Sequence, residues 1–193
     1  NQVVDKVEEV YTGFTTHLVD DALIDRFYQG EKLYISERDK KLYPNQFVML
    51  VSNANEKKTA LAKFKNYNHA LRKVQEFSDG VWDIRAKNKE QHFALDMLMD
   101  PEIKIVSILG RAGGGKTLIA IAAALQQILA DTKYKKLIVS RPVQPMGRDI
   151  GFLPGTLEEK MTPWLAPVQD NLEFLMGDDK EHLKMLVEKG TIE

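Results

Sequence analysis

The stretch Ile103 to Thr117, IKIVSILGRAGGGKT, constrains this chain more than any other. Ile103, Ile105, Val106, Ile108 and Leu109 form a short apolar run, the pattern of a strand buried on both faces of a sheet. Gly110 follows, then four residues, then Gly115, Lys116 and Thr117, which fills the G-x-x-x-x-G-K-[ST] template at every position. Gly113, Gly114 and Gly115 open backbone conformations closed to residues with a Cβ, so successive N–H groups can face phosphate oxygens. In this template Lys116 offers a point charge to the β- and γ-phosphates, and the Thr117 hydroxyl is placed to ligate Mg²⁺. The candidate nucleotide contacts are therefore Gly110, Arg111, Ala112, Gly113, Gly114, Gly115, Lys116, Thr117 and Leu118, with Lys116 and Thr117 as the catalytic pair. Leu118 to Ala130 is alanine-rich and uncharged, which predicts a buried helix whose positive end adds to the attraction for an anion. Strand, turn and helix together imply a nucleoside triphosphate ligand.

Composition narrows the setting. With 193 residues, 28% charged and a net charge of −1, the chain suits one large or two small globular domains and argues against a large basic nucleic-acid surface. Without cysteine it has no disulfide, thiolate metal site or cysteine nucleophile, which fits a cytoplasmic location. NQVVDKVEEV lacks the apolar core of a signal peptide, and Leu118–Ala130 is too short to span a bilayer, so no membrane association is expected.

Before the glycine-rich turn, the texture divides the chain in two. Residues 1–84 read as a connector, with valines at Val3, Val7 and Val10 that suit helix or strand equally. Asp20-Asp21 and Gly30 bracket a short capped helix. Leu33–Ile35, Phe47–Val51, Ala60–Phe64, Leu71–Val74 and Val81–Ile84 are short strand candidates, together suggesting a small barrel or curled sheet. Lys63, Phe64, Lys65, Tyr67, His69, Arg72 and Lys73 interleave aromatic and basic residues. They suit either a single-stranded nucleic-acid surface or, more economically, a solvated face beside core aromatics.

Residues 85–193 carry the helical pattern. Asn88 and Gln91 have capping-box spacing at the start of a helix ending before Pro101. Gln91 either caps that helix or reads the adenine edge, since an amide offers donor and acceptor together. Leu137–Ser140 is a second apolar strand, expected to lie parallel to 103–109 in a right-handed βαβ unit. The loop Arg141–Gly155 follows. Lys133, Lys135, Lys136, Arg141 and Arg148 make this the most basic segment, able to bind nucleic-acid phosphates or to supply an arginine finger from Arg141 or Arg148. Thr156 opens a further helix, interrupted at Pro163 and ending at Gly177, and Asp178-Asp179 caps a last one ended by Gly190. A P-loop hydrolase also needs an acidic residue closing another buried strand, and none follows Ser140. The expectation is a truncated ATPase that cradles phosphates and hydrolyses weakly alone.

The words NKEQHFALDMLMD (88–100), GRAGGGKTLIAIAAAL (110–125), IVSRPVQPMGRDIGFLPGTLEEKMTPW (138–164) and DNLEFL (170–175) resemble the PhoH-like ATPases, in the arrangement with an N-terminal PIN nuclease domain. The resemblance implies an α/β P-loop NTPase fold of superfamily 1 helicase type, its parallel sheet truncated here and preceded by the β-rich connector. It implies ATP and Mg²⁺ as cofactors, single-stranded RNA as partner, a hexameric ring and an RNA-remodelling motor coupled to a PIN ribonuclease. By position Gln91 resembles the adenine-reading glutamine, and Ser140-Arg141-Pro142 lies where such helicases begin to touch the strand. The PIN carboxylates and the family's Asp-Glu-Ala-Gln stretch are absent from these residues and are expected outside them. Two rival functions stand beside this one: an ATP-gated oligomeric interaction module, and a P-loop kinase, for which no arginine-rich lid is visible.

Overall fold

Phe47 to Val51, FVMLV, is apolar throughout, and that composition makes it the core of an inner strand ending at Ser52. In the computed structural model, which describes residues 12–38, 40–140, 157–177 and 179–193 and side chains of the 157–176 helix only from 166 onward, it belongs to a four-stranded sheet. The strands are β1 (Phe14–Val19), β2 (Phe47–Ser52), β3 (Thr59–Lys63) and β4 (Arg72–Lys73), in spatial order β1-β2-β3-β4. β1 pairs parallel to β2 from Phe14↔Phe47 to Val19↔Ser52, and the other two pairings are antiparallel. The order is linear, so among the described residues β1 and β4 are edges and the sheet is open and mixed; of the small barrel or curled sheet expected, closure into a barrel is not seen there. The edge β4 is two residues long and exposed, a charged Arg-Lys strip of the kind that discourages further pairing.

α1 (Asp21–Tyr28) places Ile24 and Phe27 on one face, and both are buried against Val48, Leu50, Ala60, Ala62 and Phe64 of the sheet. Asp20 precedes it without a side-chain cap; its carboxylate accepts from the Asn53 amide instead. The Lys58 ammonium donates to Asp21 Oδ2 and to Asp25 Oδ2, each at 2.7 Å, and the Ser52 hydroxyl donates to Asp21 Oδ1 at 2.9 Å. The aromatic-basic run divides: Lys65, His69, Arg72 and Lys73 are exposed, whereas Lys63, Phe64 and Tyr67 are buried or half-buried. Phe64 is core, Lys63 is only 6% exposed, and the Tyr67 hydroxyl accepts from the Leu42 N–H while donating to the Lys40 carbonyl. Leu33–Ile35 forms no strand; its Leu33 carbonyl accepts one backbone bond from the Leu71 N–H, and Ile35 is buried.

The chain separates into two compact units, Asn1–Glu76 and Phe77–Glu193. The second is built on α2 (Lys89–Met99), α3 (Lys116–Leu125), α4 (Leu157–Met176) and α5 (Lys180–Glu188). α3 is buried on two faces, as its uncharged sequence predicts. Ile119 and Ala123 join Val81 and Leu95 in one cluster; Ile121 and Leu125 join Leu172, Leu186 and Ile192 in another. A π-helical turn, Gln126–Ala130, continues it. α4 runs through Pro163 without the expected interruption.

Three expectations are corrected. Val81–Ile84 is a two-residue turn rather than a strand: Val81 and Ile84 exchange both backbone bonds while Trp82 and Asp83 take φ of 49° and 61°. Residues 103–109 form no ladder among the described residues, and Ile105 and Leu109 are 86% and 90% exposed. Among the described residues no strand bonds to it, so it is not part of a sheet whose two faces other elements could cover. Leu137–Val139 pairs parallel with Thr191–Glu193 instead, through Leu137 N–H to the Thr191 carbonyl and Val139 N–H to the Glu193 carbonyl.

Candidate nucleotide-binding site

α3 begins at Lys116, and its first intrahelical bond runs from the Ile119 N–H to the Gly115 carbonyl. The amides of Lys116, Thr117 and Leu118 therefore precede the ladder at the positive end of the helix. Gly113 and Gly115 both have φ of +77°, a left-handed region open to glycine and strained for other residues. The glycines turn the chain sharply enough to bring Gly110 and Lys116 together. The Lys116 ammonium donates to the Gly110 carbonyl at 2.9 Å and to the Arg111 carbonyl at 2.7 Å, spanning the turn from inside. Arg111, Ala112, Gly113, Gly114 and Thr117 are exposed.

α2 meets this turn through Gln91. Asn88 is the N-cap of α2, its Oδ1 accepting from the Gln91 N–H at 2.9 Å, so half of the capping box is present. The Gln91 side chain departs from it. Its Oε1 accepts from the Lys87 N–H at 2.8 Å, and its Nε2 donates to the Gly114 carbonyl at 3.3 Å. The structure thus brings Gln91 to the turn, 23 positions away in the chain, a contact that neither role considered from sequence had included.

Arg141 and Arg148, with the loop that carries them, lie outside the described residues. In the described part of the basic segment Lys133 pairs with Asp131 and Lys136 with Glu193. The Asp131 carboxyl is held below its ordinary value, first by the Gln126 amide and then by Lys133. Among the described residues no group of three His, Asp or Glu is arranged to hold a metal ion. Among them, too, no helix is long and apolar enough to cross a membrane. A separate apolar groove of about 610 Å³ lies between α4, α5 and Val139, lined by Val168, Leu172, Leu183 and Ile192; no residue of the phosphate turn borders it.

A left-handed glycine turn closed by a lysine and opening a helix defines the P-loop class of nucleotide-binding proteins. The PhoH-like protein family model matches residues 83–193, more than half of the chain, and the chain belongs to that family of P-loop ATPase-like proteins. Protein PhoH2 of Bacillus subtilis (strain 168) is 37% identical over 181 residues, covering 93% of this chain and 41% of the relative. An alignment of that length reaches well into the first unit. Protein PhoH2 of Thermobispora bispora is 42% identical over 114 residues, 58% of this chain and 26% of the relative. A PhoH-like protein of Bacillus subtilis is 42% identical over 85 residues, 44% of this chain and 26% of the relative. The chain thus spans about two fifths or less of the length of these relatives. No solved structure gives a significant match.

Proposed function

We propose that this chain is the phosphate-gripping part of a cytoplasmic, ATP-hydrolysing motor that remodels single-stranded RNA. The observation that carries the reading is the P-loop: two left-handed glycines, a lysine inside the turn, and a helix opening at that lysine. Gly113 and Gly115 direct amides toward the phosphates, and Lys116 neutralises charge on the β- and γ-oxygens. Bound Mg²⁺ would be held by the Thr117 hydroxyl and would polarise the phosphate chain. Arg111, Ala112 and Leu118 complete the wall, with Gln91 at its side. Arg141 and Arg148 meet either RNA phosphates or the γ-phosphate.

The family resemblance extends the proposal to a hexameric ring and to a PIN ribonuclease in the same protein. RNA is the partner that separates the motor from a kinase or an ATP-gated scaffold. ATP turnover by the purified full-length protein, with and without single-stranded RNA, is the test. RNA should raise turnover, and Lys116→Ala should abolish the rise; turnover indifferent to RNA, or unchanged in the variant, refutes the motor. Arg148→Ala should lower RNA affinity with ATP binding intact, and the reverse outcome would make Arg148 a finger.

A further inference from the structure

Gln91 has both ends of its amide committed. Oε1 takes the Lys87 N–H, and Nε2 gives a proton to the Gly114 carbonyl. The two partners also fix which end is which, since a backbone N–H needs an acceptor and a carbonyl needs a donor. Reading an adenine edge would require the same two atoms, donor and acceptor side by side. The approach to the turn is close as well: a Cβ on Gly115 would stand 3.2 Å from Gln91 Nε2.

The Gly114 carbonyl and the Gly115 N–H belong to one planar trans peptide, so they point in opposite directions. Holding that carbonyl toward α2 turns the Gly115 N–H away from Gln91, which is where a phosphate gripped by the turn would lie. Gly115 is also the N-cap of α3, so this one peptide sets how the glycine run enters the helix. The anchor is itself held at two further points, the Gln91 N–H by Asn88 and its side chain by Lys87.

We infer that Gln91 is a positioning residue for the phosphate grip: it orients the Gly114–Gly115 peptide, and its contribution is independent of the base. This rests on the nucleotide-binding reading above, and the experiment separates the two. Dissociation constants for ATP, GTP and inorganic tripolyphosphate, each with Mg²⁺, are measured by calorimetry on the protein and on Gln91→Ala and Gln91→Glu. Gln91→Ala should weaken all three ligands by a common factor, between about twofold and tenfold for loss of the bond that orients Gly114. The ratio of ATP to GTP affinity should stay as it is in the parent protein. Gln91→Glu keeps an acceptor for Lys87 but sets an oxygen against the Gly114 carbonyl, so its loss should be at least as large. It carries the same comparison should the alanine variant fail to fold.

Loss of ATP affinity alone, with GTP and tripolyphosphate unaffected, would overturn the inference and return Gln91 to the adenine edge. No loss for any ligand would overturn it too and leave a helix cap. A parent protein that binds none of the three would instead sink the proposed function.

Discussion

The indole N–H of Trp82 donates to the carbonyl of Leu175 at 2.8 Å, closing 93 residues of chain with one bond. Leu175 lies in the last turn of α4, where carbonyls have no intrahelical partner, so the indole satisfies a group the helix cannot. The backbone N–H of Trp82 meanwhile donates to Gln126 Oε1 at 3.1 Å, at the π-helical turn after α3. One residue in a strained turn thus ties the end of the P-loop helix to the end of α4. Trp82→Phe keeps the ring and removes the donor, and should destabilise the second unit by about 1–2 kcal/mol. Urea unfolding followed by far-ultraviolet circular dichroism measures this; an unchanged midpoint would show that the bond contributes nothing.

Thr117→Ala removes the hydroxyl offered to Mg²⁺ and leaves the amides and Lys116 in place. Nucleotide affinity in Mg²⁺ should fall by about tenfold or more. Affinity in a chelator should be the same as in the parent. Equal losses under both conditions would mean that Thr117 shapes the helix start rather than the metal.

The first unit should carry a pH signature. Asp21 is held below the ordinary carboxylate value, first by the hydrogen bond from Lys58 and then by that from Ser52. Lys58 is held above the ordinary ammonium value, first by Asp21 and then by Asp25. A depressed carboxylate stabilises the fold above its unfolded pKa, about 3.9, and that contribution is lost as pH falls through the lower folded value. A raised ammonium stabilises below its unfolded pKa, about 10.4, and is lost as pH rises through the higher folded value. Melting temperature against pH should therefore fall off on both flanks, and Lys58→Met should flatten both. A variant curve parallel to that of the parent would show the cluster to be inert.

Leu50 is fully buried on β2 beside Ile24 and Val48. Leu50→Ala should cost about 2–5 kcal/mol, read as a lower denaturant midpoint for the first unit. A loss below about 1 kcal/mol would mean that the sheet and α1 are not packed as described.

The parts of the fold legible in sequence are those decided by neighbours. The phosphate turn is written in eight consecutive residues, and its run of three glycines announces the left-handed backbone, although only 113 and 115 adopt it. Asn88 and Asp179 cap α2 and α5 as their spacing suggests, accepting from the N–H groups of Gln91 and His182. β2 and β3 were visible as apolar runs. What was not legible depends on partners far along the chain. Whether 137–139 joins 103–109 or 191–193 is a question of pairing, and an apolar run carries no record of its neighbour. The Val81–Ile84 turn hides for another reason. Two-residue turns with positive φ are recognised by Asn-Gly or Asp-Gly, and here Trp-Asp occupies those positions, held there by the bonds of Trp82. Gln91 shows both cases at once: its backbone cap was readable three residues away, its hold on Gly114 was not.

The parallel pairing of β1 with β2 has a kinetic consequence. β2 and β3 are joined by the short stretch from Ser52 to Thr59, whereas β1 must wait for the chain from Val19 to Phe47 to close. The longer closure is about two doublings of length, roughly 1.2 kcal/mol of additional chain entropy before any contact forms. Closure entropy alone therefore favours the hairpin forming first and β1 with α1 joining it later. Between the two events the flank of β2 waits uncovered. Conditions that slow the arrival of residues 14–19 would lengthen the interval in which another chain can take their place.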